Sequence, residues 1–107
     1  MFDAVKAKND CVQWIRDWFD ANGKDCNAVI GISGGKDSTV VAALCVEALG
    51  NDRVYGIMMP NGFQADITDA EAICDSLHIH HWQVNIKKAY DAIIGEIGWA
   101  IYGMSDL

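Results

Sequence analysis

A short polar turn rich in glycine separates two strongly apolar segments, and it constrains the fold more than any other part of the sequence. The turn is Ser33-Gly-Gly-Lys-Asp-Ser38, between the apolar segments 27–32 and 39–49. A short, uniformly apolar run is typical of a strand in a parallel sheet that is covered on both faces, and the longer run suits a buried helix. The sequence therefore predicts a strand that passes through a tight turn directly into a helix.

Strand and helix signals alternate along the whole chain. Apolar spacing and turn residues set the boundaries, and Thr68-Asp-Ala-Glu71 has the spacing of a capping box at a helix start. The predicted elements are a helix at 3–21, a strand at 27–32, the turn at 33–38, a helix at 39–49, a strand at 53–59, a helix at 68–77, a strand at 81–86 and a helix at 87–97. This alternation predicts an α/β fold in which helices cross over a parallel sheet.

Length, charge and cysteine usage limit the class of protein. A chain of 107 residues with 51% apolar residues fits one domain with a real core. The formal charge of −7, with scattered Lys and Arg residues, argues against a nucleic-acid partner. We also expect no membrane partner, because no apolar run reaches the roughly 18 residues that a span needs. The four cysteines form no CxxC pair, which fits a reduced, cytoplasmic setting.

The polar turn has the composition of an anion-binding site. Gly34 and Gly35 allow the backbone to turn sharply and to bring its N–H groups close to a ligand. The helix that follows directs unpaired N–H groups and the positive end of its dipole to the same place. Because the hydroxyls of Ser33 and Ser38 and the charge of Lys36 add further donors, we predict that this turn binds a pyrophosphate group.

Asp37 is the acidic residue of the turn. A carboxylate among phosphate-binding groups repels the ligand unless a cation lies between them. Mg²⁺ resolves this conflict, because it prefers a few carboxylates together with phosphate oxygens. A simpler role for Asp37 is to cap the helix, and the two roles are compatible.

The spacing of the turn excludes two common phosphate-binding motifs and matches a third. A Walker loop requires Ser or Thr after the lysine, whereas Asp37 follows Lys36, and the glycines do not fit the Rossmann GxGxxG pattern. The segment 33–38 resembles instead the SGGxDS signature of the ATP pyrophosphatase (PP-loop) superfamily. That resemblance implies a three-layer α/β/α fold with a parallel sheet of the adenine nucleotide alpha-hydrolase (Rossmann-like) type, and cleavage of ATP between its α- and β-phosphates.

A longer stretch resembles the ammonia-dependent NAD synthetase family. The similar segments are 31–50 and 52–60, followed by Gln64, Asp66 and Asp69-Ala70, so that the resemblance extends over residues 3–95. It implies that Met58, Met59 and Gln64 are candidates for adenine contact and that Asp37 holds Mg²⁺. The residues implied to bind the ATP phosphates are Gly31, Ile32, Ser33, Gly34, Gly35, Lys36, Asp37 and Ser38.

The resemblance also implies a reaction and an assembly. ATP adenylates the nicotinic-acid carboxylate of deamido-NAD, ammonia attacks the adenylate to give NAD, and AMP and pyrophosphate are released by a homodimeric enzyme. A glutaminase activity is not supported, because no Ser–His or Cys–His pair has a recognised spacing. Members of this family are more than twice as long as this chain, so we expect residues 1–107 to form a truncated ATP-binding domain with an incomplete sheet.

Two alternatives remain open. Another PP-loop ATP pyrophosphatase, such as a tRNA-modifying enzyme, shares the turn but requires a basic surface for RNA. A non-catalytic ATP-binding fragment fits the short length. The histidines of 78–81 are not expected to bind a metal, because no Cys or carboxylate ligand accompanies them. His78 stands where the family usually has glycine, and we expect it to adopt a left-handed helix cap.

Overall fold

The computed structural model describes residues 1–62 and 67–103. In it the chain folds into three parallel strands that are flanked by helices. The strand order is β1-β2-β3. The elements are α1 (Ala4–Asn22), β1 (Ala28–Gly31), α2 (Lys36–Leu49), β2 (Val54–Met58), α3 (Ile67–Leu77), β3 (His80–Gln83) and α4 (Lys87–Tyr102), with a single 3₁₀ turn at Asn51–Arg53. The expected α/β fold with an incomplete parallel sheet is confirmed.

The core lies between one face of the sheet and the helices α2 and α3. Alternate residues of the strands point to this face, because successive side chains of a strand point to opposite sides. α1 packs onto α2 and contributes Ile15 and Phe19 at the margin of the core. The buried members of the core are Ala28, Ile32, Ala42, Cys45, Val54, Met58, Ala70, Cys74 and Ile79.

Gly56, in the middle of β2, allows α3 to approach the sheet closely. A Cβ atom at this position would lie 3.0 Å from the Cys74 sulfur and 3.0 Å from Cγ1 of Ile32. Both neighbours are buried, so they have little room to move. The absence of a side chain at Gly56 therefore fixes the distance between β2 and α3.

Arg53 connects the start of β2 to the segment between α1 and β1. Its guanidinium donates hydrogen bonds to the carbonyls of Lys24 (3.1 Å) and Cys26 (2.7 Å). It also lies 5.8 Å from the centre of the Phe19 ring, within the range of a cation–π contact. Because Arg53 belongs to the 3₁₀ turn, β2 begins one residue later than predicted.

The helix after the polar turn begins three residues earlier than predicted. α2 starts at Lys36 rather than at residue 39, and Gly35 is its N-cap residue. The carbonyl of Gly35 accepts hydrogen bonds from the Thr39 amide (3.3 Å) and the Thr39 hydroxyl (2.7 Å), which closes the first helical turn. Residues 36–38 therefore belong to the helix, and the connection from β1 is shorter than expected.

The third strand is shorter than the predicted 81–86, because a proline interrupts its pairing. Val84 still donates to the Met58 carbonyl at 2.7 Å. The next bond of a parallel ladder would run from the amide of residue 60 to the Val84 carbonyl, and Pro60 has no N–H. β3 therefore ends at Gln83, and Ile86 donates to the Pro60 carbonyl at 2.8 Å.

Other boundaries differ from the prediction for local reasons. α3 begins at Ile67, so Thr68 lies inside the helix, and Glu71 accepts a hydrogen bond from Gln83 instead of closing a capping box. α4 continues five residues beyond the predicted end, because Gly103 (φ 66°) provides its left-handed cap. His78 has a φ of 56°, which confirms the expected left-handed cap. The remaining bounds agree with the prediction or shift by one residue.

Candidate functional site

The polar turn lies at the carboxyl edge of the sheet. All three strands are parallel, so their carboxyl ends meet at one edge, which is where open α/β sheets bind ligands. The turn occupies the four residues between Gly31, the last residue of β1, and Lys36, the first residue of α2. The segment that follows β2 begins at the same edge.

Gly34 gives the turn its shape. Its φ of +90° is a conformation that residues with a side chain rarely adopt. Gly35 differs, because its φ of −86° and ψ of 171° are open to any residue. A Cβ atom on Gly35 would lie 3.3 Å from the Ser33 hydroxyl. The two glycines therefore have different roles: Gly34 turns the backbone, and Gly35 leaves room for Ser33.

The two serine hydroxyls hold the turn together. Oγ of Ser33 accepts a hydrogen bond from the Gly35 amide at 3.2 Å and lies 3.2 Å from Oγ of Ser38. Oγ of Ser38 in turn accepts from the Ser33 amide at 3.2 Å and approaches the Gly35 carbonyl at 3.3 Å. These hydroxyls bond to each other and to the backbone, and so they link the two ends of the turn.

The amides of Lys36, Asp37 and Ser38 form the open part of the site. They are the first N–H groups of α2, and such groups have no acceptor within their own helix. Across residues 1–62 and 67–103, no other acceptor bonds to these three amides or to that of Gly34. The amides of residues 34 and 36–38, together with the positive end of the helix dipole, can bind an anion. We term these four amides the anion-binding cradle.

Gly31 and Ile32, which the resemblance assigned to the phosphates, also take part in the packing beside the turn. The Ile32 amide donates to the Ile57 carbonyl at 2.9 Å, and its side chain is buried in the core. Gly31 ends β1, and a Cβ there would lie 3.3 Å from the methyl group of Met59. These two residues hold the end of β1 against β2, and the first amide of the turn without a hydrogen-bond acceptor in the described residues is that of Gly34.

The charged side chains of the turn point to solvent. Lys36 and Asp37 are both exposed, and Asp37 lies in the first turn of α2, where a negative charge interacts favourably with the helix dipole. No group of three or more His, Cys, Asp or Glu residues in the described part of the chain is arranged to hold a metal ion. Asp37 thus offers one carboxylate beside the cradle, and a cation there would need oxygen ligands from a bound phosphate.

The three candidates for adenine contact lie in different environments. Met58 is 1% exposed and fills the core beneath the sheet edge. Met59 is 50% exposed and points to the opposite face, against Gly31. Gln64 lies outside the described residues. The exposed thioether of Met59 is therefore the accessible apolar group at the carboxyl end of β2.

Asn85 is a residue of this edge that the sequence analysis missed. Its Oδ1 accepts hydrogen bonds from the amides of Gly62 (3.2 Å) and Lys87 (3.0 Å), and its Nδ2 donates to the Gly62 carbonyl at 3.3 Å. The side chain thereby joins the segment after β2 to the start of α4. An Asn two residues before a helix is a signal for such a bond, although it does not reveal the distant partner Gly62.

Comparisons with known proteins match this architecture. The sequence profile of NAD synthase matches residues 7–105. The chain is 40% identical over 98 residues to the NH(3)-dependent NAD(+) synthetase of Methanosarcina acetivorans, a match that includes 89% of this chain and 38% of the relative. None of the helices in the described part of the chain is both long and apolar enough to cross a bilayer.

Two solved structures have the same fold. The NH3-dependent NAD synthetase from Campylobacter jejuni superimposes with a TM-score of 0.80 at 30% identity, over 89% of this chain and 42% of that chain. The NMN synthetase from Francisella tularensis gives a TM-score of 0.76 at 29% identity, over 91% of this chain and 40% of that chain. The chain therefore spans less than half the length of these relatives.

Proposed function

The chain belongs to the NAD synthase family, and from this premise we propose that it is the ATP-binding part of an ammonia-dependent NAD synthetase. The observation that carries the proposal is the anion-binding cradle, which opens at the carboxyl edge of the sheet within a sequence of this family. The cradle has the donors that a pyrophosphate needs, and it is held in shape by Ser33 and Ser38.

We assign the residues of the cradle distinct tasks. The amides of Lys36, Asp37 and Ser38 donate to the oxygens of the β- and γ-phosphates, and the Lys36 ammonium neutralises part of their charge. Gly34 contributes its amide and the turn that exposes the others. Because the hydrogen bonds of Ser33 and Ser38 hold these groups in place, little reorganisation is needed when they stabilise the pyrophosphate as it leaves.

Asp37 is the proposed ligand for Mg²⁺. Its exposed carboxylate stands at the end of the cradle, and this donor fits Mg²⁺, which binds through one or two carboxylates and substrate phosphates. When bound, Mg²⁺ would supply charge neutralisation between Asp37 and the phosphates and on the leaving pyrophosphate.

The proposed adenine contact is the end of β2. The Met59 side chain is exposed there and offers an apolar surface, while buried Met58 supports it from the core side. Gln64, on the following segment, remains a candidate on the strength of the family resemblance alone. A thioether is a favourable neighbour for an aromatic ring.

The proposed reaction is the amidation of deamido-NAD. A carboxylate oxygen of deamido-NAD attacks the α-phosphorus of ATP, and the bond to the β-phosphate oxygen breaks, so that an acyl-adenylate and pyrophosphate form. Ammonia then adds to the acyl carbon, AMP leaves with the bonding electrons, and a proton is lost to give NAD. The cradle contributes to the first step, since the negative charge of the departing pyrophosphate grows beside its N–H groups.

We propose a homodimer located in the cytoplasm, with no nucleic-acid partner. The acidic charge of −7 disfavours RNA and speaks against the tRNA-modifying alternative. The four cysteines are all free thiols, which fits a reducing compartment.

Titration calorimetry with ATP tests the cradle and its cation. We expect Mg²⁺-dependent binding that weakens at least about tenfold in Asp37→Asn, because a neutral amide does not offset the charge of the cation as a carboxylate does. Asp20→Asn is the matched control, because Asp20 is exposed on α1 and its substitution removes the same charge far from the cradle. Undiminished, Mg²⁺-independent affinity in Asp37→Asn would refute the assignment.

A turnover assay separates the proposed function from its alternatives. Ammonia, ATP and deamido-NAD are supplied to the 107-residue chain, and the formation of NAD, AMP and pyrophosphate is followed. NMN formation is assayed in parallel because of the structural similarity to an NMN synthetase. NAD formation supports the enzyme, whereas ATP binding without turnover favours a non-catalytic ATP-binding chain.

A further inference from the structure

The segment that leaves β2 is bonded at three points to the segment before α4. The carbonyls of Met58 and Pro60 accept hydrogen bonds from the amides of Val84 (2.7 Å) and Ile86 (2.8 Å). These two bonds join backbone groups, so they do not depend on the identity of the side chains. The third point depends on a side chain, because it is made by the amide group of Asn85.

Asn85 bonds to both backbone groups of Gly62. Its Oδ1 accepts from the Gly62 amide at 3.2 Å, and its Nδ2 donates to the Gly62 carbonyl at 3.3 Å. The side-chain amide thus offers the donor and the acceptor that a peptide group of a neighbouring strand would offer. Because Pro60 has no N–H and interrupts the pairing of β2 with β3, Asn85 continues the hydrogen bonding that the backbone cannot continue there.

The backbone conformation of Gly62 depends on the absence of a side chain. Its φ is +79°, which residues with a Cβ atom rarely adopt. A Cβ atom there would lie 3.4 Å from Cδ of Lys87, an ordinary contact, so the restriction comes from the conformation and not from a lack of space. Oδ1 of Asn85 also accepts from the Lys87 amide at 3.0 Å. One side chain therefore fixes both the turn after β2 and the first amide of α4.

The segment that Asn85 holds includes the proposed adenine contact. We term residues 59–62 the β2 rim. Met59 is its exposed apolar residue, and Pro60 is buried beside it. Within residues 1–62 and 67–103, no hydrogen bond joins Asn85 to the amides of the anion-binding cradle. Separate sets of bonds therefore fix the β2 rim and the cradle.

We propose that Asn85 is a positioning residue for the base of ATP: by holding Gly62, it keeps the β2 rim in the conformation that presents Met59 to the adenine. This inference rests on the proposed ATP site and adds to it the residue through which the site favours a nucleotide over a bare polyphosphate. When the two bonds to Gly62 are lost, the β2 rim spends less time in this conformation, and the affinity for adenosine falls in proportion. The affinity of the cradle for phosphates is retained.

Titration calorimetry of the 107-residue chain with ATP and with inorganic tripolyphosphate, both with Mg²⁺, tests the assignment. Tripolyphosphate carries three phosphates without adenosine, so it reports on the cradle alone. In Asn85→Ala we expect ATP affinity to fall at least about fivefold and tripolyphosphate affinity to change less than about twofold. Asn27→Ala is the matched control and should change neither affinity, because Asn27 is exposed before β1, at the amino edge of the sheet.

A double-mutant cycle shows whether Asn85 acts through Gly62. Gly62→Ala is strained at a φ of +79°, so it should also weaken ATP binding while it spares tripolyphosphate binding. If the two residues act as one unit, the double variant binds ATP no more weakly than the weaker single variant. Additive losses in the double variant would contradict this route.

Asn85→Asp separates the positioning role from a role in the stability of α4. Its carboxylate still accepts from the Lys87 amide, but it cannot donate to the Gly62 carbonyl and repels that oxygen. We expect the thermal stability of the wild type together with a lower ratio of ATP affinity to tripolyphosphate affinity. The ratio is the readout because the added negative charge acts on both anions.

The outcomes distinguish failure of this inference from failure of the ATP site. Equal losses of ATP and tripolyphosphate affinity in Asn85→Ala overturn the positioning role, and so does an unchanged ratio in Asn85→Asp. If circular dichroism shows that Asn85→Ala does not fold, Asn85→Asp decides. A wild type that binds both ligands equally well overturns this inference alone, since adenosine then contributes nothing. A wild type that binds neither ligand refutes the proposed ATP site, and this inference with it.

Discussion

Replacing Gly34 by alanine tests whether the anion-binding cradle depends on a backbone conformation that favours glycine. With φ at +90°, a side chain at this position is strained, and a left-handed conformation costs a residue with a Cβ roughly 1–2 kcal/mol. Alanine also restricts the unfolded chain, which offsets about 0.5–1 kcal/mol of that cost. The net effect expected is a destabilisation of about 1 kcal/mol.

Gly35→Ala is the matched control within the same turn. The φ of −86° suits alanine, and the added methyl group would lie 3.3 Å from the exposed Ser33 hydroxyl, which can give way by a few tenths of an ångström. The smaller entropy of the unfolded chain compensates for this contact. We therefore expect a stability close to that of the wild type.

Thermal unfolding followed by circular dichroism measures both variants. A loss of about 1 kcal/mol lowers the Tm of a domain of this size by about 4–8 °C, so Gly34→Ala should show that shift and Gly35→Ala should not. If Gly34→Ala instead relieves its strain by changing the turn, the amides of 36–38 move and ATP affinity falls at an unchanged Tm. Equal behaviour of the two variants in both assays would refute the role of Gly34.

Two further predictions concern stability. His78→Gly should raise the free energy of unfolding by up to about 1 kcal/mol in urea titrations, because a φ of 56° strains a residue that has a Cβ atom. His78→Ala keeps the Cβ atom and should give no such gain. Equal effects of the two substitutions would contradict backbone strain at this position. Burial raises the pKa of the Cys45 and Cys74 thiols. As the pH rises, the unfolded chain therefore loses these protons at a lower pH than the folded chain does. The stability that the protonated thiols contribute is complete below about pH 8.5 and is lost as the pH rises further. Urea titrations between pH 8 and 9.5 should show this decline in the wild type and a flatter profile in the Cys45→Ala, Cys74→Ala double variant; identical slopes would exclude the thiols.

Much of the phosphate site can be predicted from the sequence because its determinants are local. The apolar segment 27–32 and the SGGKDS turn are adjacent, and hydrogen bonds within residues 33–39 fix their geometry. The start of α2 was still misplaced by three residues. Ser33, Gly34 and Gly35 are all acceptable N-cap residues, and the sequence does not indicate that Ser33 and Ser38 bond to each other across the turn.

The features that the sequence did not reveal depend on distant parts of the chain. The end of β3 is set by Pro60 on the neighbouring strand, and the partner of Asn85 is Gly62. Met58 and Met59 must face opposite sides of a strand, but a uniformly apolar run does not show which side is the core. Met58 is buried and Met59 is exposed because α2 and α3 pack on the face of the sheet to which Met58 points.

The core alone does not explain why β1 is apolar on both of its faces. A strand without a polar face is typical of a sheet covered on both sides, yet only Ala28, Ile30 and Ile32 face the core, while Val29 on the other side is 68% exposed. α4 carries an isoleucine-rich stripe that is likewise exposed within the described part of the chain. Each pattern implies burial beyond the contacts that residues 1–62 and 67–103 make with one another.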